Sequence, residues 1–196
     1  MNALHEYGIQ AAPLVLPAPG IDMTAWAVIA CDQYTQDADY WRRAEAAAEG
    51  RPSALNLILP EVYLNAPDRH ERIRRIHETM RQYLADGVLV QTEPCFMYIE
   101  RTTAYGRTRR GLIACIDLDA YDWKPESAAL IRATEETIAA RLPPRMDVRR
   151  GAALELPHIM LLADDADDAL MQAAKETAQG EPPVYDAELM LNGGHI

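Results

Sequence analysis

Short apolar runs of strand length alternate along the chain with longer stretches of helical periodicity. The runs at 12–16, 26–31 and 55–59 are rich in Val, Ile and Leu and are bounded by Pro or Gly, so each predicts a β-strand. A fourth apolar run at 157–163 predicts a buried strand. The order of these segments indicates a mixed α and β domain.

The strongest helical pattern begins at Pro67-Asp68 and ends at Asp86-Gly87. Its apolar residues recur at spacings of three and four, which places them on one face: Ile73, Ile76, Met80 and Leu84. A second helix is predicted from a cap at Thr35 through an Ala-rich stretch to Gly50. Further helices are predicted over 131–141 and 164–180.

Two apolar runs at 94–102 and 110–118 flank a polar turn that contains Tyr105-Gly106-Arg107, a pattern typical of a β-hairpin. Pairing across this turn places Cys95 nearly opposite Cys115, and we interpret both as small core residues rather than as a redox pair. The sequence therefore predicts one α+β domain over 1–196, with a mixed or mainly antiparallel sheet, a β-hairpin and flanking helices.

Composition places the 196 residues among ordinary globular proteins, with 49% hydrophobic and 25% charged residues. Three cysteines without CxxC spacing form neither a zinc framework nor a disulfide scaffold. No signal peptide and no apolar run of about 20 residues is present, so we expect a cytoplasmic protein without a membrane partner.

The net charge of −11 argues against binding to nucleic acid or to an anionic membrane. The charge is uneven, however, because residues 101–150 carry ten basic and seven acidic side chains, a net of +3. This block is where an anionic ligand would be attracted.

Within that block, the segment 132–145 contains the parts of a phosphate site. On a helix, Arg132 and Glu136 would lie four residues apart on one face. Forked guanidinium donors suit phosphate, and a carboxylate can act as a base or bind a metal. We expect the phosphate to be bound by Arg132, Arg141 and Arg145, with Glu135 or Glu136 as the catalytic carboxylate. The alternative is an ordinary set of ion pairs on a solvated helix.

His158 lies in the apolar run that predicts a buried strand. It is either a further phosphate ligand or a structural histidine whose ring is satisfied within the core.

Other motifs predict no metal site and no known nucleophile. No glycine-rich phosphate loop and no Gly-x-Ser-x-Gly elbow occurs. His70 and His77 are two helical turns apart, about 10.5 Å, which is too far for one metal ion. The four aspartates at 164–168 are more typical of a helix start than of a cation site.

Five strings of the sequence resemble the bacterial branch of the domain of unknown function 1015 family. They are WAVIACDQYT at 26–35, LPEVYL at 59–64, IRATE at 131–135 with Pro143-Pro144-Arg145, LELPHIM at 154–160, and ELMLNGGHI at 188–196. The resemblance implies a relationship to the ParB and sulfiredoxin-like fold, in which some members are nucleotide-dependent kinases of free serine. Family members are about twice as long, so we expect this chain to be the amino-terminal part of a longer protein.

Many relatives carry a Lys-Pro-His-Glu string that has two alternative counterparts here, Lys124-Pro125-Glu126 and Arg132-Ala-Thr134-Glu135. The resemblance and the Arg/Glu cluster favour a phosphate- or nucleotide-handling enzyme, such as a small-molecule kinase-like phosphotransferase. Its expected ligands are a phosphorylated small molecule and ATP or ADP with Mg²⁺. The alternative is a non-catalytic binding or assembly module. We also expect exposed apolar surface to drive homodimer formation.

Overall fold

The computed structural model describes residues 8–29, 34–134, 136, 138–156 and 158–196, with the side chain of Arg141 outside this description. The α-helices are α1 (Met23–Trp26), α2 (Ala38–Ala48), α3 (Arg69–Ala85), α4 (Leu142–Arg149) and α5 (Ala169–Ala178). The strands are β1 (Ile9–Gln10), β2 (Val15–Pro17), β3 (Leu89–Gln91), β4 (Met97–Thr102), β5 (Thr108–Ile113), β6 (Cys115–Ile116), β7 (Tyr121–Asp122) and β8 (Ile131–Arg132).

These elements form an α+β fold, as the sequence predicted. The strands pair two by two: β1 with β6, β2 with β3, and β4 with β5 are antiparallel, whereas β7 and β8 are parallel. None of the described helices is long and apolar enough to cross a membrane. The relationship to the ParB and sulfiredoxin-like fold stays a prediction.

Two buried clusters form the core, one on each side of the loop that follows α2. In the first, Tyr40 and Trp41 of α2 pack with Ile29, Leu55 and Met190. In the second, Ile76 and Met80 of α3 pack with Trp26, Leu57 and Leu89. Burial of a large apolar side chain contributes about 1.5–3 kcal/mol, so these clusters fix α2 and α3 against the loop between them.

Helix α3 confirms the strongest pattern in the sequence. Ile73, Ile76 and Met80 are buried on one face. Leu84, which the same spacing places on this face near the end of the helix, is 39% exposed. Helix α2 is also confirmed, but its cap is Asp37 rather than Thr35, because an Asp37 carboxylate oxygen accepts from the Tyr40 amide at 2.9 Å.

The strands predicted at 55–59 and 26–31 are wrong. The run at 55–59 begins as a 3-10 helix over Ala54–Leu57, capped by Ser53, whose hydroxyl accepts from the Leu55 amide. The run at 26–31 begins as the last residue of α1, which Asp22 caps through the Thr24 amide. Residues 30–33 of that run lie outside the description. In both places a short polar side chain starts a helical turn immediately before the apolar run, and this local bond decides the outcome.

The predicted hairpin is confirmed as β4 and β5, and its register pairs Met97 with Ile113 and Thr102 with Thr108. The ladder ends before the cysteines, which pair instead with the amino-terminal segment: Cys95 with Ala12, and Cys115 with Gln10. Cys95 is only half-buried and Cys115 is exposed, so their assignment to a buried core face is wrong. Both are free thiols.

Candidate functional site

Three arginines lie on one face of the β4–β5 hairpin. Arg101 pairs directly with Arg109, which places both side chains on the same face. The ladder continues through the Thr103 amide, which donates to the Arg107 carbonyl at 2.9 Å, and Arg107 is two residues from Arg109. We call Arg101, Arg107 and Arg109 the arginine face.

A turn from the carboxyl-terminal part of the chain lies against this hairpin. The Arg101 guanidinium donates to the Gly193 carbonyl at 3.4 Å. Two backbone hydrogen bonds of 2.8 Å join Thr102 and His195. The Nε atom of Arg101 is buried and has no hydrogen-bond partner. A terminal nitrogen of the Arg101 guanidinium is therefore bound by a carbonyl, whereas its Nε atom has no partner.

On the other face of the hairpin, a carboxylate balances the charge of an arginine. The Tyr98 hydroxyl donates to a Glu100 carboxylate oxygen at 2.6 Å, and Arg110 donates to the same oxygen at 3.1 Å. These bonds hold the pKa of Glu100 below its ordinary value. Burial and the bond to Glu100 raise the pKa of Tyr98 to about 12. A carboxylate thus neutralises Arg110, whereas none neutralises the arginine face in the described part of the chain.

This arrangement is suited to an anion. Like charges directly opposite each other across two strands are unfavourable, and an anion between them removes the repulsion. Arginine donors bind phosphate or carboxylate oxygens in a fork. No group of three or more metal-ligating side chains occurs among the described residues.

The site residues predicted from the sequence do not lie on one helical face where the structure describes them. The predicted helix over 131–141 is wrong, because Ile131–Arg132 is strand β8 and Ala139–Arg141 is a 3-10 turn. Pro143 and Pro144, which follow the predicted helix in sequence, lie in the first turn of α4, as proline can. Arg132 and Glu136 are exposed, as is Arg145 on α4.

No hydrogen bond or ion pair joins Arg132, Glu136 and Arg145 in the part of the molecule that is described. Glu135 and the side chain of Arg141 lie outside it. The proposed phosphate-binding and catalytic roles of these residues stay predictions. The helix that was predicted to place Arg132 and Glu136 on one face is absent.

His158 is exposed rather than buried, and residues 158–163 form no strand, so that part of the prediction is wrong. The aspartates at 164–168 behave as expected for a helix start. The Asp165 carboxylate accepts from the Leu170 and Met171 amides at 3.0 and 3.3 Å.

The sequence reasoning missed the arginine face, although the signal was available. The hairpin pairing that placed Cys95 opposite Cys115 also places Arg101 opposite Arg109. Extending the predicted register to its charged positions would have found the pair.

The comparisons with known proteins give one match. A family model described as "Protein of unknown function (DUF1015)" matches residues 15–196. No curated protein and no solved structure matches the chain.

Proposed function

The chain belongs to the DUF1015 family, a family described only as of unknown function, and we propose from its geometry that it is a phosphate- or nucleotide-handling enzyme. A small-molecule kinase-like phosphotransferase is the activity that we favour. Its ligands are a phosphorylated small molecule and ATP or ADP with Mg²⁺, and we place it in the cytoplasm.

One observation carries this proposal: Arg101 faces Arg109 across the hairpin without a carboxylate partner among the described residues. Such a pair stabilises a bound phosphate twice, through charge-assisted hydrogen bonds and through relief of its own repulsion. We assign the phosphate to the arginine face in preference to Arg132 and Arg145, which share no contact.

In a phosphotransfer, the terminal phosphoryl group of ATP moves to an acceptor hydroxyl, the acceptor proton moves to a carboxylate, and ADP leaves. Positioned positive charge is the main contribution that a protein makes to this reaction. Glu136 is exposed, and its role as the carboxylate is carried over from the sequence as a prediction, since no described contact joins it to the arginine face.

Thermal unfolding with ATP, ADP, pyrophosphate and phosphoserine, each with and without Mg²⁺, tests the proposal. A ligand at 100 times its dissociation constant stabilises by about 2.7 kcal/mol, which raises the melting temperature of a chain this size by roughly 5–10 °C. We expect this rise to be lost in the double variant Arg101→Gln/Arg109→Gln.

The matched control is Arg132→Gln/Arg145→Gln, which removes the same charge from the residues first predicted from the sequence. Loss of the rise in the control but not in the hairpin variant would move the phosphate to those residues. Absence of any rise in the unchanged protein would contradict phosphate binding by this chain.

The second candidate function is a non-catalytic binding or assembly module. The observation that favours it is a run of exposed large apolar side chains at 159–162, of which Ile159 and Leu162 are each 82% exposed. Soluble proteins rarely expose a contiguous run of this kind without a partner. This function would be favoured if copies of the chain associate with each other and no phosphate compound changes the melting temperature.

A further inference from the structure

Among the described residues no strand pairs with the outer edge of β5, and helix α5 lies close to both strands of the hairpin. Thr102 of β4 uses its N–H and C=O outward, toward His195, so its β5 partner Thr108 also points its backbone groups outward. Because the direction of the backbone N–H and C=O groups alternates along a strand, those of Arg110 and Leu112 also point outward. Within the described ranges β5 pairs with β4 alone, which leaves these outward groups available to another strand.

The same chain carries a segment that resembles an unpaired strand. Residues 158–163 form no secondary structure, and four consecutive large apolar residues are exposed there: Ile159, Met160, Leu161 and Leu162. The Met160 sulfur lies 3.6 Å from the Arg109 guanidinium, which projects from a face of the hairpin rather than from its edge. The segment makes no backbone hydrogen bond to β5 of its own copy.

The side chains along the outer edge of β5 and those of residues 161–164 are complementary when the two segments are aligned antiparallel. With Leu162 opposite Leu112, the next outward position brings Asp164 opposite Arg110, and Leu161 then faces Ile113 on the other side. An apolar pair and an opposite-charge pair therefore fall in one register.

We propose that residues 161–164 of one copy add as a third, antiparallel strand to β5 of a second copy, and reciprocally. Each copy carries both the open edge and the unpaired segment, so the exchange closes as a two-fold symmetric dimer. The backbone groups of β5 give affinity, and the alternating side chains give the register. This dimer does not depend on phosphate binding.

Sedimentation of the purified chain over a concentration series tests the proposal, and a concentration-dependent dimer is expected. Leu162→Asp places a charge in the apolar pair and should raise the dimer dissociation constant by at least about tenfold. Val184→Asp is the control, because Val184 is another exposed apolar residue, at 70%, outside the segment. It should leave the constant unchanged.

A second pair of variants tests the edge. Arg110→Pro removes an outward N–H and should abolish the dimer, whereas Arg110→Gln keeps the N–H and should only weaken it. Circular dichroism checks that each variant is folded, and amide hydrogen exchange should slow at Arg110 and Leu112 as the dimer forms.

Three results would overturn the proposal. The first is a monomer at every concentration. The second is a dimer that Leu162→Asp leaves intact. The third is slow exchange at Arg110 and Leu112 in a monomer, which would mean that the segment closes on its own hairpin.

Discussion

Gly194 lies so close to Thr102 that a Cβ in its place would be 2.0 Å from the Thr102 carbonyl oxygen. The next residue, His195, exchanges two backbone hydrogen bonds with Thr102, so the chain cannot move away without losing them. Gly194 also has a φ of +90°, in a region that residues with a side chain rarely adopt. Glycine is required here both for conformation and for close approach.

We expect Gly194→Ala to lower the free energy of unfolding by about 2–5 kcal/mol, because a left-handed conformation costs roughly 1–2 kcal/mol and overpacking roughly 1–3 kcal/mol. The matched control is Gly20→Ala. Gly20 has nearly the same φ, +91°, but nothing lies within 4 Å of the added Cβ, so this variant reports the conformational cost alone. Urea unfolding measures both, and equal losses would contradict the steric argument.

Arg109→Gln should raise stability in phosphate-free buffer of low ionic strength. The substitution removes one of two like charges directly opposite each other, a repulsion worth about 0.2–1 kcal/mol. The gain should disappear near 1 M salt, where the screening length is about 3 Å. Arg110→Gln should have the opposite sign, because Arg110 has a carboxylate partner in Glu100. A loss of stability in Arg109→Gln at low salt would contradict the repulsion.

Tyr40→Phe should destabilise the first core cluster by about 1–3 kcal/mol. The Tyr40 hydroxyl is buried and donates to the Ile29 carbonyl at 2.6 Å, so its removal leaves a buried acceptor without this partner. Tyr34→Phe is the control, since it keeps the ring that stacks on Tyr40 at 4.1 Å between centroids. Thermal unfolding compares the two, and a neutral Tyr40→Phe would show that water replaces the hydroxyl.

Glu71 should titrate far below an ordinary glutamate. Hydrogen bonds from Arg74 and Arg75, at 2.6 and 2.9 Å, lower its pKa from 4.5 to about 2. A carboxylate with a lower pKa in the folded state stabilises the protein above the unfolded pKa. That contribution is lost as the pH falls from 4.5 towards 2, and it is small because the group is exposed.

A pH titration followed by NMR measures this pKa directly. The double variant Arg74→Gln/Arg75→Gln should return the midpoint of Glu71 towards 4.5. Arg81→Gln, on the same helix, should leave it near 2. A midpoint near 4.5 in the unchanged protein would show that the two ion pairs do not persist in solution.

The elements that the sequence predicted correctly depend on local signals. Helix α3 repeats its apolar spacing over 17 residues, and the β4–β5 hairpin has a short turn with Gly106 at a φ of +74°. In both elements many interactions between residues close in sequence favour the same structure, so one contact with a distant segment does not change it.

The wrong predictions depend on contacts that no local pattern contains. Strand β8 replaces the predicted helix where the Ile131 side chain packs against Gly8, so close that a Cβ on Gly8 would be 3.2 Å from its Cδ1 atom. Gly8 precedes Ile131 by more than 120 residues. The helix that was predicted to place Arg132 and Glu136 on one face is therefore absent, and the proposed roles of Arg132, Glu136 and Arg145 stay predictions.

Contacts made by the carboxyl-terminal turn also determine when, during synthesis of the chain, earlier segments gain their partners. The Tyr185 hydroxyl donates to the Pro17 carbonyl at 2.5 Å across 168 positions of sequence, and His195 pairs with Thr102. At about 5–20 residues per second, a ribosome needs roughly 8–34 s to make the residues between Pro17 and Tyr185. Throughout that interval Pro17 lacks this hydrogen-bond partner, and Thr102, which is made about halfway through it, lacks its partner His195 until still later. The fold of residues 8–196 therefore needs the segment around Tyr185 and His195 before its contacts can all form, and until then the earlier segments are the ones that a chaperone attending the nascent chain would meet.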